Sequence, residues 1–425
     1  VVTATIDDMR RLPCASLVGV IACGAVACGA AGSTGPDAPT SLGEVMPEVQ
    51  QNGSDILAHP KIMVISYADD GSNGSACALA ASQFAASPAW GEMTAEYGVV
   101  DLTAAAPQQI TGDIPATLSD STLNAMLAAN LGDGASWGTA DPSTIYAFVI
   151  PSTTAYDDAS GSGVPCCGTA GYPGYHYNAI VGSADVPYAV LCECPDVPGE
   201  TSLQQLTSTL AHQTVDAATD PRTDANGNPT GYAYVQPDDV AWEFGTDIEL
   251  ADMCQYAQTQ LWTDAPGMTF AIQRSWSNAA AAAGTDPCVG DGTAPYYQAI
   301  PDAPDADTID VIIDGSQPYA VTTQLDKIAV GATGTVTMHL YASEASSGPY
   351  SVNVVDLSGE FPPLLDIIGP FGTFMPGDAV TFQVKVNHAN PAVLSATAEP
   401  YAIITAPAAG SAAGPQTYAY GLIGQ

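Results

Sequence analysis

The hydrophobic residues of this 425-residue chain follow one rule before Pro301 and another after Asp305, and that change most limits what it can fold into. Ahead of the Pro301-Asp302-Ala303-Pro304-Asp305 linker, apolar residues come in short continuous runs. Ile62-Met63-Val64-Ile65-Ser66-Tyr67 leads into Asp69-Asp70-Gly71, and Ile145-Tyr146-Ala147-Phe148-Val149-Ile150-Pro151 and Tyr188-Ala189-Val190-Leu191 repeat the pattern. Runs of that length bounded by turn residues are the signature of strands buried on both faces. Helical segments are expected between them, near 76–86, 90–97 and 121–129, so residues 60–300 read as an α/β or α+β domain. Beyond the linker the period becomes two. Val336, Met338 and Leu340 alternate with Thr335, Thr337 and His339, and Val380, Phe382, Val384 and Val386 alternate with Thr381, Gln383 and Lys385. With turns such as Pro376-Gly377-Asp378, this predicts an all-β, immunoglobulin-like antiparallel sandwich over 305–425.

The other end of the chain carries an address. Met9-Arg10-Arg11 precedes the apolar run Leu12 to Cys28, which is followed by Gly29-Ala30-Ala31-Gly32-Ser33. A basic start, a short apolar stretch and small residues describe a secretory signal starting at Met9, and the run is too short to favour a membrane span. Ala25-Val26-Ala27-Cys28 resembles a lipobox, as does Val20-Ile21-Ala22-Cys23; Cys28 is expected to be the lipidated residue, ending a signal over 1–28. Residues 29–59, rich in Gly, Ser, Pro and Gln, read as a disordered tether. The implied location is the bacterial outer membrane or cell surface as a lipoprotein, or otherwise the extracellular space, with membrane contact through the anchor alone.

Composition narrows the partners. Forty-five Asp and Glu face seven Lys and Arg, a formal charge of -38. Such a chain has almost nothing with which to neutralise phosphates, so nucleic-acid binding is excluded. The seven cysteines after Cys28 are Cys77, Cys166, Cys167, Cys192, Cys194, Cys254 and Cys288. In an exported protein they read as disulfides with one thiol left over.

Chemistry concentrates at His212-Gln213-Thr214-Val215-Asp216, followed by Thr219-Asp220-Pro221. In HExxH-type helices two ligands one turn apart hold zinc, and the Glu after the first His takes a proton from the metal-bound water. Here that position is Gln213, whose neutral amide can orient water at most. Thr201 or Ser202 can cap a helix whose stripe is Leu203, Leu206, Leu210 and Ala217. At about 100° per residue, His212 and Asp216 fall roughly 180° and 220° from Leu203, on the face turned to water or a cleft. Glu249 and Asp252, at i and i+3, and His176 in Tyr175-His176-Tyr177 can supply further ligands; His176 is also a catalytic candidate. Asp224-Ala225-Asn226-Gly227-Asn228 has the oxygens of a calcium turn but no distal Glu at EF-hand spacing, which favours an Asx-rich turn. There is no GxSxG elbow, no P-loop and no GxGxxG after a strand.

Several segments in order carry a resemblance. They are Ser87-Pro88-Ala89-Trp90 through Glu96-Tyr97-Gly98-Val99, the 145–151 strand, the 166–176 loop, Tyr188-Ala189-Val190, the His212 helix, Glu249 to Cys254, and Gln273-Arg274-Ser275-Trp276-Ser277-Asn278 before Cys288. Over residues 60–290 the chain resembles the EXORDIUM-like, phosphate-induced secreted proteins and their bacterial extracellular relatives. The resemblance implies a secreted, metallopeptidase-like domain with an HExxE-type helix, in which His212 and Asp216 match the ligands and Gln213 departs at the base. It also implies that Cys254 pairs with Cys288. The resulting expectation is a lipid-anchored surface protein with a degenerate zinc-metallopeptidase-like domain that binds a peptide or envelope component rather than cleaving it. Zinc held by His212, Asp216, Glu249 and Asp252 is the expected cofactor and calcium its alternative. An active extracellular metal-dependent peptidase and a non-catalytic adhesion or structural protein are the rivals.

Overall fold

The computed structural model describes residues 41–157, 166–167, 173–196, 200–224, 227–246, 248–258, 267–290, 295–311, 319–343, 347–358, 362–388, 398–408 and 416–425. The signal segment, Cys28 and the first part of the tether lie outside them.

A central sheet runs in the order Thr103–Ala104, Lys61–Tyr67, Thr144–Ile150, Ala184–Cys192, Gly174–Val181, with Gln108–Ile110 also pairing to Lys61–Tyr67. All pairings are parallel except the closing hairpin between Gly174–Val181 and Ala184–Cys192. Every residue of Thr144–Ile150 is buried, which is why the central run is apolar throughout. Side chains nevertheless divide by the two-residue period of a strand. Ile62, Val64, Ile145, Ala147, Val149, Ala189 and Leu191 meet Phe84 of the Asn73–Ala86 helix and Leu206, Leu210 and Val215 of the Ser202–Thr219 helix. Ile65, Tyr146, Phe148, Tyr188 and Val190 meet Leu123 and Leu127 of the Asp120–Asn130 helix on the opposite face. The result is a three-layer α/β/α unit.

Residues 41–59 depart from the tether expectation. Leu42, Val49 and Leu57 are buried, Gln50–Gln51 pairs with Tyr232–Tyr234, and the Val49 N–H donates to Asn278 Oδ1 at 2.9 Å. Three apolar residues seven or eight apart make no period, so the stretch reads as linker although Val49 and Leu57 join the main apolar core.

The sandwich begins at Tyr297, ahead of the expected boundary at 305, because the strand before the Pro/Asp linker pairs with Thr333–Ala342, and it consists of two packed sheets. One orders Tyr297–Pro301, Thr333–Ala342, Ala379–Val386 and Leu365–Ile368; the other orders Asp305–Val311, Tyr319–Lys327, Thr417–Gly424, Ala398–Pro407 and Tyr350–Asp356. Phe382 of the first meets Tyr401 of the second edge to face, at 5.6 Å between ring centroids. The sandwich is mixed rather than purely antiparallel, because Tyr319–Lys327 runs parallel to Thr417–Gly424. A period of two reports which face is buried and carries no information on strand direction. The two units share their apolar core: the Trp242 ring lies 5.2 Å from that of Tyr420.

Among the described residues three disulfides, Cys166–Cys192, Cys167–Cys194 and Cys254–Cys288, leave Cys77 as the buried free thiol. Among the described residues no helix is long and apolar enough to cross a membrane.

Candidate metal centre

The Ser202–Thr219 helix opens with a reciprocal cap. Thr201 Oγ1 accepts from the Gln204 N–H at 3.3 Å, and Gln204 Oε1 accepts from the Thr201 N–H at 2.9 Å. From Gln205 to Thr219 every residue except His212 is buried, and the His212 ring itself is only 11% exposed. The side opposite the Leu stripe therefore does not face water. Thr209, Thr214 and Thr219 donate their hydroxyls to the carbonyls of Gln205, Leu210 and Val215, at 2.8, 2.5 and 2.9 Å, and so satisfy themselves within the helix. A stripe that counts threonine as polar misses this second packed face.

The segment that covers it is Ile248 to Cys254. The Ala251 N–H donates to Asp216 Oδ1 at 2.8 Å, and the Trp276 N–H donates to the Leu250 carbonyl at 2.9 Å. Asp252 begins the Asp252–Gln258 helix, which the Cys254–Cys288 bond ties to the short pair Ser275–Trp276 and Cys288–Val289. This cross-link holds Asp252 and Gln273 against the long helix.

Within that frame His212, Asp216 and Asp252 converge. His212 Nε2 lies 3.1 Å from Asp216 Oδ2 and 3.1 Å from Asp252 Oδ1. Its other nitrogen, Nδ1, lies 3.0 Å from Gln273 Oε1. The Gln273 amide has a fixed orientation, since its Nε2 donates to the Ala251 carbonyl at 2.7 Å. Oε1 must then accept and Nδ1 must carry a proton, so Nε2 is the nitrogen turned toward the two carboxylates and left to a metal once its own proton is displaced. An outer amide or carboxylate that fixes the tautomer in this way is the usual support of a metal-ligating histidine. Asp216 Oδ2 is buried and receives no hydrogen bond. One imidazole nitrogen and two carboxylates, one with an orphaned oxygen, make a donor set that suits zinc.

Burial alone would favour the neutral imidazole, but Asp216 and Asp252 reverse that and lift the His212 pKa to about 9. Burial pushes the Asp216 carboxyl up to about 8, against the attraction of His212 and with the repulsion of Asp252. Both directions mean that the ion-free cluster holds its protons tightly, and a cation entering it must displace them.

Glu249 and His176 belong to a second group, with Asp220. His176 Nδ1 lies 3.7 Å from Glu249 Oε2 and 3.3 Å from Gln213 Oε1, and Nε2 lies 2.9 Å from the Asp220 carbonyl. Asp220 Oδ1 accepts from the N–H groups of Thr230 and Gly231 at 2.9 and 2.6 Å; burial raises its pKa, with His176 and those donors pulling it back. Gln213 thus turns toward His176, and of the four residues expected to share one ion three stay together while Glu249 joins the second triad. The Asp224 turn closes on itself, with the Asn228 N–H donating to Asp224 Oδ1 at 2.9 Å.

Two contributors escape sequence reasoning. Gln273 lies 61 positions from His212 in a segment without helical or strand period, and nothing in the sequence marks it as a partner. Asp220 was visible as the third member of an i, i+4, i+8 series from His212 through Asp216, and that spacing was the available signal.

No family model matches the chain, and no curated protein does. Among solved structures, a conjugative transposon lipoprotein from Bacteroides eggerthii aligns with 30% of this chain and 95% of its own, at 8% identity and a TM-score of 0.17. Likeness at that level carries no argument about fold or function.

Proposed function

We propose that this is an exported metal-binding protein whose α/β unit carries a degenerate metallopeptidase-like centre, with zinc held by His212, Asp216 and Asp252. The observation that carries the reading is the placement of His212 Nε2 at 3.1 Å from both carboxylates, with Asp216 Oδ2 buried and accepting no hydrogen bond. A buried carboxylate oxygen without a donor is costly unless a proton or a cation serves it. Zinc in this position supplies Lewis acidity toward a water or carbonyl ligand. The chain's own contribution is to fix the imidazole through Gln273 and to hold the carboxylates dry. Gln213 cannot act as a base, and its carbonyl oxygen is directed to His176. That combination favours binding of a peptide or envelope component over cleavage. Export fits the three disulfides and the basic-apolar start of the chain.

The test is elemental analysis and zinc titration of the purified, chelator-stripped chain. One zinc per chain, lost in both His212→Ala and Asp252→Asn, is expected; no zinc uptake, or uptake unchanged by both substitutions, overturns the reading.

One observation favours a second reading, an active peptidase. His176 and Glu249 stand 3.7 Å apart beside Gln213, an acid-base pair that can replace the missing glutamate. Binding without catalysis predicts no peptide hydrolysis in the zinc-loaded chain and a gain in Gln213→Glu. Hydrolysis that Gln213→Glu leaves unchanged but Glu249→Gln abolishes would establish the second reading instead.

A further inference from the structure

The two triads are built from the same parts of the chain. The Ser202–Thr219 helix and its C-cap send His212 and Asp216 to the first, Gln213 and Asp220 to the second. The segment that covers the helix sends Asp252 to the first and, three residues earlier, Glu249 to the second. The Gly174–Val181 edge strand completes the second with His176.

The His176 ring has a fixed direction. Its Nε2 lies 2.9 Å from the Asp220 carbonyl, which can only accept, so Nε2 carries a proton and Nδ1 is the nitrogen turned into the cluster. Nδ1 faces Gln213 Oε1 at 3.3 Å and Glu249 Oε2 at 3.7 Å. Asp220 is 3% exposed, and the Thr230 and Gly231 N–H groups that hold it both donate to Oδ1. Among the described residues no hydrogen bond reaches its Oδ2. One nitrogen of His176 and an oxygen from each carboxylate thus lie within 4.8 Å of one another.

The spacing separates an ion from a proton. Ligand atoms held about 2.2 Å from one cation stand roughly 3 to 4 Å apart. A proton between a charged nitrogen and an oxygen draws them to about 2.7 to 2.9 Å. His176 Nδ1 and Glu249 Oε2, at 3.7 Å, have the first spacing and lie beyond a hydrogen bond.

Charge points the same way. Asp216, Asp220, Glu249 and Asp252 bring four carboxylates to the two triads, and one zinc neutralises two of them. Among the described residues no Lys or Arg neutralises the others. Lys61, Arg222, Arg274 and Lys327 pair with Asp141, Asp55, Asp286 and Asp307, and Lys385 stands on the Ala379–Val386 strand of the sandwich.

We propose that His176, Asp220 and Glu249 form a second divalent-cation centre, with the Gln213 carbonyl oxygen as a fourth ligand, that takes a six-coordinate ion of the manganese class. One imidazole among oxygen ligands suits such an ion, and Glu249, 19% exposed, stands where water can complete the shell. Gln213 then has a use at the position where a general base is missing, as a neutral oxygen ligand. A filled second centre also occupies Glu249, which favours binding over cleavage. The inference goes beyond the zinc reading and stands without it.

The test is manganese(II) titration of the full chain followed by electron paramagnetic resonance, in which bound ion loses the sharp signal of the free one. The chelator-stripped chain, first given one equivalent of zinc, is expected to bind one manganese that shows nitrogen coupling from His176. His176→Ala should lose that coupling. Both it and Glu249→Gln, which keeps the side-chain shape, should weaken binding at least about tenfold. Gln213→Glu should tighten binding, because it adds a charged ligand. His212→Ala, which loses the zinc, should keep the manganese, so that either centre can fail without the other. No manganese uptake, uptake without nitrogen coupling, or uptake that His176→Ala and Glu249→Gln leave unchanged would overturn the second centre and leave a protonated His176 between the two acids.

Discussion

At the residue scale the account rests on which nitrogen of His212 keeps its proton when a metal displaces the other. Gln273 decides this, because its amide is locked by the Ala251 carbonyl and can only accept from Nδ1. Gln273→Ala is therefore expected to leave the chain folded while weakening zinc binding by about 10- to 100-fold, the usual effect of losing a group that orients a metal ligand; calorimetric titration measures it. Affinity equal to wild type would mean that the tautomer is set by something else. His212→Ala is harsher. It leaves Asp216 and Asp252 facing each other with their charge uncompensated, and about 3 to 5 kcal/mol of stability should be lost in metal-free denaturant unfolding. Much of the site was legible at this scale: His212, Gln213 and Asp216 stand out by spacing, and Asp252 by its own i, i+3 pair. Gln273 was not, because a long-range hydrogen bond leaves no periodic trace.

At the scale of elements, patterns recovered strands better than helix faces. Continuous apolar runs located the Lys61–Tyr67, Thr144–Ile150 and Ala184–Cys192 strands, since a strand covered on both sides has no polar position to confuse the reading. The His212 helix was harder. Its threonines bury by bonding to their own helix, so a polar stripe turned out to be a second packed face. Its cap is an ordinary one, and Thr201→Ala should cost about 1 kcal/mol in denaturant unfolding, with Thr201→Ser restoring most of it. In the sandwich, the Tyr319–Lys327 strand buries Asp326, whose carboxyl is pushed up to about 7 by burial first and then by the charges of Asp302 and Asp305. The folded state then binds this proton more tightly than the unfolded chain, whose carboxyl titrates near pH 3.9. The contribution to stability is full below about pH 4 and is lost as pH rises toward 7, by on the order of 2 to 4 kcal/mol. Asp326→Asn should flatten that slope in unfolding measured from pH 4 to 8; an unchanged slope would place the ionisation elsewhere.

At the scale of the molecule, the two units are packed rather than strung together. Gly245 lies against the Tyr420 ring so closely that a Cβ there would overlap it, and Trp242 stacks edge-on to the same ring. Gly245→Ala should lower the thermal midpoint through a loss of about 1 to 3 kcal/mol, as overpacking does. The Pro301 to Asp305 linker announced two units, but their shared core was illegible, because a contact between one glycine and one tyrosine 175 residues apart has no local signature. The joint backs onto the metal centre, since Met253 beside Asp252 lines one small cavity with Trp242 and Tyr420. The most direct test of the central claim is a crystal of the chain soaked in zinc and measured on both sides of the zinc absorption edge. The account predicts an anomalous peak roughly 2 Å from His212 Nε2 and from carboxylate oxygens of Asp216 and Asp252. A structure with zinc bound elsewhere and His212 still bridging the two carboxylates would contradict it.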